Sequence, residues 1–288
     1  MTFSLDSEWS GLRGFASLRQ TFLFVTFQRL TAILATGWLL AGMRAEAEEI
    51  VILEEPVRVV TSSSAEIFPE VWLKPSIAPE GAVLPEDQIE RARSILGRGL
   101  AKYPRELLTG NLKAVYALAQ LRYRGVVTSG TNSRTAVYVK LGTEKAGFTD
   151  RHIEGVFHAE FSSILLRNQG RFLDRAAWEK VNPPGFKYLG DGVEAVKQGK
   201  AGLRSEEGLL EQGFLSEYGR STLENDLNGI VARLFMSDAS LWAMAERYPK
   251  IGTKLGLTLA FYQKLDPSFT ETFFRGLMKA EERGKTGR

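Results

Sequence analysis

Two segments carry side chains whose types and spacing suit joint chemistry. The first, Thr149 to Arg167, sets Ile153, Val156, Phe157, Phe161, Ile164 and Leu165 at helical spacing behind Thr149, a good N-cap. Glu160 falls inside that apolar stripe, and His158 lies on its flank. Burying a carboxylate without a partner costs several kcal/mol, so Glu160 calls for a metal, an arginine such as Arg122 or Arg124, or several hydrogen-bond donors. The second segment runs from Gly213 to Phe235. Ser221 or Thr222 can cap a helix whose stripe is Leu223, Leu227, Ile230, Val231 and Leu234. Glu224, Asn225 and Asp226 crowd its first turn, where the helix dipole favours acids whether or not they bind anything. Tyr218, just upstream, can donate to a developing oxyanion or pack as a core tyrosine with a satisfied hydroxyl.

Composition narrows the chemistry these groups can perform. The chain has 288 residues, no cysteine and two histidines, His152 and His158. Disulfides, iron–sulfur centres, thiolate zinc fingers and cysteine nucleophiles are excluded, and one chain cannot supply a three-histidine metal site. A formal net charge of +3 is too balanced to point to nucleic acid or an anionic membrane.

The elements that must position the candidates form one domain behind a leader. Arg13, Arg19 and Arg29 precede an apolar run, Leu30 to Met43, followed by Ala45-Glu46-Ala47. Basic region, apolar core and small-x-small site in that order predict a signal peptide over 1–47 and an exported protein, periplasmic or secreted. A signal anchor is the alternative. The run is shorter than the ~20 residues a membrane-crossing helix needs, so the mature chain carries no integral span. Residues 48–85 read as irregular, with prolines between short β-prone pieces at Ile50–Leu53 and Val57–Val60. A helix is expected from Glu86 to Lys102, strands at Ala114–Val127 and Thr135–Leu141, and a loop at 128–133. After the helix at 149–167, Asn182-Pro183-Pro184-Gly185 breaks the chain. A Gly- and Lys-bearing connection at 186–212 has the length and composition of a lid. Helices are then expected over 222–247, 254–264 and 270–283.

The stretch Phe157-His158-Ala159-Glu160-Phe161-Ser162-Ser163, with Gly213-Phe214-Leu215-Ser216-Glu217-Tyr218 and Glu224-Asn225-Asp226-Leu227, resembles the zinc-binding metallopeptidases of exported bacterial proteins. That family is similar to zincins. The resemblance implies an α+β fold over residues 85–240: a small β-sheet, an active-site helix bearing His-Glu-x-x-His, and a mostly helical C-terminal half supplying an acidic ligand. In that motif the two histidines share one metal and the Glu activates water. Glu160 corresponds to the Glu, which puts the histidine positions at Ala159 and Ser163. Family members often read His-His-Glu-Phe-Ser-Ser, so Ser163 is shared with them and Ala159 is particular to this chain. His158 stands one position early, ~100° around the helix.

The resemblance therefore implies a zincin-like fold with a degraded metal site and weak or no catalysis, possible as a module that binds a peptide or protein. The alternatives are a metal-dependent hydrolase with a rearranged set, zinc on His158, Glu224 and Asp226 with Glu160 as base and Tyr218 assisting, and a structural protein of the cell envelope.

Overall fold

The computed structural model describes residues 49–286; the leader expected at 1–47 lies outside the described residues. The chain opens with a bulged antiparallel pair, β1 (Ile50–Leu53) and β2 (Arg58–Thr61). It then passes through 3-10 turns and the short strand β3 (Glu80–Ala82) into α1 (Ile89–Leu100) and α2 (Arg105–Asn111). Strands β4 (Ala114–Leu118), β5 (Gln120–Tyr123), β6 (Val126–Val127), β7 (Gly130–Asn132) and β8 (Ala136–Lys140) follow. The main sheet has the order β1-β2-β4-β8-β7, with β2, β4 and β8 parallel and both edges antiparallel. A second sheet has the order β3-β5-β6.

The rest is helical: α3 (Asp150–Gln169), α4 (Arg175–Val181), α5 (Gly192–Lys197), α6 (Glu207–Gln212), α7 (Leu223–Phe235), α8 (Ala239–Arg247), α9 (Pro249–Leu265) and α10 (Glu271–Thr286). This is the α+β arrangement expected, a mixed sheet followed by a mostly helical half. Among the described residues no helix is long and apolar enough to cross a membrane.

Strand alternation explains why both faces of the main sheet are covered. Val115, Ala117, Val137 and Val139 turn to one face and join Ile95, Leu96, Phe157 and Phe161 of α1 and α3. Leu118, Ala136 and Tyr138 turn to the other and meet Ile67 and Phe68. Strands buried on both sides must be apolar nearly throughout, as Ala114–Leu118 and Ala136–Lys140 are.

Three expectations change here. The strand expected over 114–127 is three strands, β4 in the main sheet and β5 and β6 in the second. The 128–133 segment contains an edge strand, β7, which Gly130, Thr131 and Asn132 build without a single apolar side chain. Pairing with β8 supplies what propensity does not. The helix expected over 222–247 is two helices, parted at Met236–Asp238, where Ser237 takes a left-handed φ of 56°.

Candidate functional site

Helix α3 begins as its sequence indicates, with the Thr149 hydroxyl accepting from the His152 amide. It packs against α1, α7, β7 and β8. Being enclosed on several sides, it does not follow a single apolar stripe. His158 is 0% exposed, whereas Glu160 retains solvent contact. This reverses the order expected, because the flank on which His158 sits meets α7.

The acid buried deepest on α3 is Glu154, one turn before His158. Its Oε1 lies 2.7 Å from the Lys102 ammonium and its Oε2 3.4 Å from Arg98. Burial pushes this carboxyl up, but His158 and Lys102 together hold it at about 2. His158 shares a 2.9 Å hydrogen bond through Nδ1 with the Tyr103 hydroxyl and stacks on Phe235. Its Nε2 lies 3.7 Å from Glu154, beyond hydrogen-bond length. Burial pushes the imidazole down to about 4, so it is neutral at pH 7.

That shift has a signed consequence. The unfolded imidazole takes a proton near 6.5 and the folded one only near 4, so stability is lost as pH falls through this window. His158→Gln is expected to remove that dependence. Melting temperatures of both proteins between pH 7 and pH 4 check it, and an unchanged slope would show that His158 titrates normally.

Glu160 lies on the other side of α3, opposite β7. The Asn132 amide donates to its Oε2. Gly130 lets the strand approach: a Cβ there would stand 2.5 Å from Val156 Cγ1 and 2.8 Å from Glu160 Oε1. Glu160 is thus closely surrounded by protein atoms and still partly exposed. Burial pushes its carboxyl up to about 7; the Glu224 charge adds to the rise, while Asn132 and Arg167 oppose it. Gly130→Ala is expected to cost about 1–3 kcal/mol, by forcing β7 away from α3. Chemical denaturation measures this, and a neutral result would mean that β7 yields freely.

Helix α7 supplies the facing wall. The Thr222 hydroxyl accepts from the Asn225 amide and fixes where the helix starts. This brings Glu224 towards Glu160 and within 3.4 Å of Arg167. Tyr218 closes the wall. Burial raises its phenol to about 12, with Glu160 and Glu224 adding and Asn225 opposing through a hydrogen bond. The connection at 186–212 reaches this wall. Gly190 donates to the Ser221 carbonyl, and Asp191 pairs with Arg124 at 2.6 Å. A Cβ at Gly192 would stand 2.8 Å from the Tyr218 hydroxyl.

Glu160, Tyr218 and Glu224 therefore lie close enough to shift one another's titration. The fold resembles a solved one. That structure is a "putative zinc-binding metallo-peptidase" from Bacteroides caccae, 13% identical, with a TM-score of 0.40 over 65% of this chain and 75% of the other. No family model matches the sequence, and no curated protein is similar to it. The chemistry has to come from this chain's own residues.

Those residues do not fit zinc. Ala159 has no donor atom, and the Ser163 hydroxyl accepts from Asn228 at 2.8 Å. His158 faces Tyr103, on the far side of α3 from Glu160. Asp226, only 2% exposed, turns into the helical core. There its Oδ2 accepts from Lys254 at 2.6 Å, the Tyr188 hydroxyl at 2.8 Å and the Trp178 indole at 3.0 Å. Among the described residues no group of three or more histidines and acids is placed to hold a metal. Arg122 and Arg124 do not reach Glu160 either, being engaged by Glu80 and Asp191. Asn132 was the residue missed in the sequence. The period-two register of a strand would have pointed to it, had 128–133 been read as strand.

Proposed function

We propose that this chain is an exported peptide-binding protein on a metallopeptidase-like frame, working through a zinc-free site at Glu160. The observation that carries this reading is the placement of Glu160: a partly exposed carboxyl held by Asn132 beside a sheet edge, with its pKa raised by burial and by the Glu224 charge. β7 is the last strand of the sheet. Ser133 N–H and Ser129 C=O bond towards β8, so alternation turns the backbone of Gly130 and Asn132 outward. The Thr128 hydroxyl occupies the Gly130 carbonyl at 2.7 Å. The Asn132 backbone is left for an extended ligand, the mode in which a peptide adds to a sheet edge. The buried Asn132 Oδ1 has no partner and can accept a further N–H. Glu160, titrating near neutrality, can accept or donate as the ligand requires. Export rests on the leader pattern in the sequence.

Two measurements test this. Metal analysis after dialysis should find no stoichiometric zinc; zinc that persists would overturn the reading. Fluorescein-labelled peptides from a casein digest, followed by anisotropy, should bind, and Asn132→Asp should weaken them at least tenfold by setting a second carboxylate against Glu160. Binding unaffected by that change would place the peptide elsewhere.

The pKa of Glu160 favours a second reading, a hydrolase in which Glu160 moves the proton. It separates from the first through Glu160→Gln, which would keep binding and abolish cleavage.

A further inference from the structure

A recess lies beyond the carboxyl ends of the parallel strands β4 and β8. It has a volume of about 550 Å³ and is lined by residues that follow those strands, with the β5–β6 sheet forming the opposite wall. Sheets with parallel strands gather their ligands at this end, where the outgoing loops part and leave a crevice. The size falls within the range of small-molecule sites.

The lining is apolar with a cationic side. Leu121 and Val127 come from the second sheet, and Leu141 and Phe148 from the passage between β8 and α3. Val127 is 54% exposed, a large apolar side chain left facing solvent. The Lys140 ammonium stands 4.7 Å above the Phe148 ring, and no carboxylate pairs with it among the described residues. Arg122 adds a second cation, which is engaged by Glu80 at 3.7 Å and by the Gly125 carbonyl at 3.0 Å. Asp87 is also on the wall, and Lys140 is the lining cation with no carboxylate paired to it among the described residues. An ammonium held over an aromatic ring beside open apolar surface complements a ligand with an apolar body and a negative end.

We propose that this recess binds a carboxylate with an apolar body of leucine size or larger, its charge on Lys140 and its body against Val127 and Phe148. Two sources share that chemistry: the C-terminal residue of a peptide and a free carboxylic acid. The site is separate from Glu160 and does not depend on the function proposed there.

Titration of the protein by NMR with N-acetylalanylleucine, its C-terminal amide and 4-methylpentanoate tests the proposal. The dipeptide acid is expected to bind at least tenfold more tightly than its amide. Lys140→Met should weaken it at least tenfold, Lys140→Arg should retain it within threefold, and Glu160→Gln should leave it unchanged. If Lys140→Met fails to fold, Val127→Glu, which sets a like charge at the exposed rim, should weaken binding equally. Comparable binding of 4-methylpentanoate would assign the recess to free acids, and binding of the dipeptide alone to peptide C-termini. The proposal is overturned if neither carboxylate binds at millimolar concentration, if the amide binds as well as the acid, or if the Lys140 and Val127 changes have no effect.

Discussion

Glu160→Gln is expected to stabilise the protein at pH 8 and to leave it nearly unchanged at pH 4.5. The unfolded carboxyl ionises near 4.5, the folded one only near 7. Between those values the folded state keeps a proton that the unfolded state has released. Stability therefore falls as pH rises through the window and stays lower above it. A shift of this size corresponds to ~3 kcal/mol, and partial exposure to water reduces it to about 2 kcal/mol. Glutamine keeps the oxygen that accepts from Asn132 and cannot ionise, so it removes the penalty without emptying the space. The gain should appear as a rise in melting temperature of about 4–8 °C at pH 8, vanishing towards pH 4.5. A glutamate retained for structure would behave oppositely, and a variant less stable at both pH values would refute a functional role. Stability given up at a site is the usual mark of one selected for what it does.

The second large effect lies in the helical core, at Asp226 and Lys254. Asp226→Ala is expected to cost about 3–5 kcal/mol, because it strands a buried ammonium, takes the acceptor from the Tyr188 hydroxyl and leaves the Trp178 indole only the Tyr188 oxygen at 3.1 Å. Lys254 is 0% exposed and sits 4.0 Å from the Phe214 ring centroid, with no route for its charge to reach water. Burial pushes the lysine down and the aspartate up, each opposed chiefly by the other's charge. Lys254→Met should also destabilise, since it leaves the carboxylate with only Tyr188 and Trp178. The double variant Asp226→Asn with Lys254→Met should recover most of the loss. Its amide oxygen still accepts from both donors, and the thioether chain fills the lysine's space. Urea midpoints of Asp226→Asn, Lys254→Met and the double close the cycle. Additive losses, or singles costing less than ~1 kcal/mol, would mean that the pair is not coupled.

The contrast between these sites shows how far the sequence could be read. Helix α3 and its Thr149 cap follow from periodicity and capping. Which face of α3 each polar residue takes does not follow, because a helix enclosed on several sides has no single apolar stripe to decode. His158 and Glu154 are held by Tyr103 and Lys102, both from the turn that follows α1. Asp226 resembled an ordinary first-turn acid because its partner, Lys254, has the composition of a surface residue. β7 was hidden for the reverse reason: its residues are those of a loop, and only the register of β8 makes them a strand.

The order β1-β2-β4-β8-β7 also governs how the chain assembles. β2 cannot gain its parallel neighbour until α1 and α2 have been made and bypassed, and β4 must wait for β8 across the excursion into the second sheet. Each pairing closes a long loop before any contact repays the lost entropy. Non-local pairings of this kind lengthen the interval before the native state is reached, relative to a helical bundle whose contacts are local. During that interval the apolar strands that finally bury both faces of the sheet stand exposed, which makes the unfolded chain, and not the finished surface, the state most prone to aggregate.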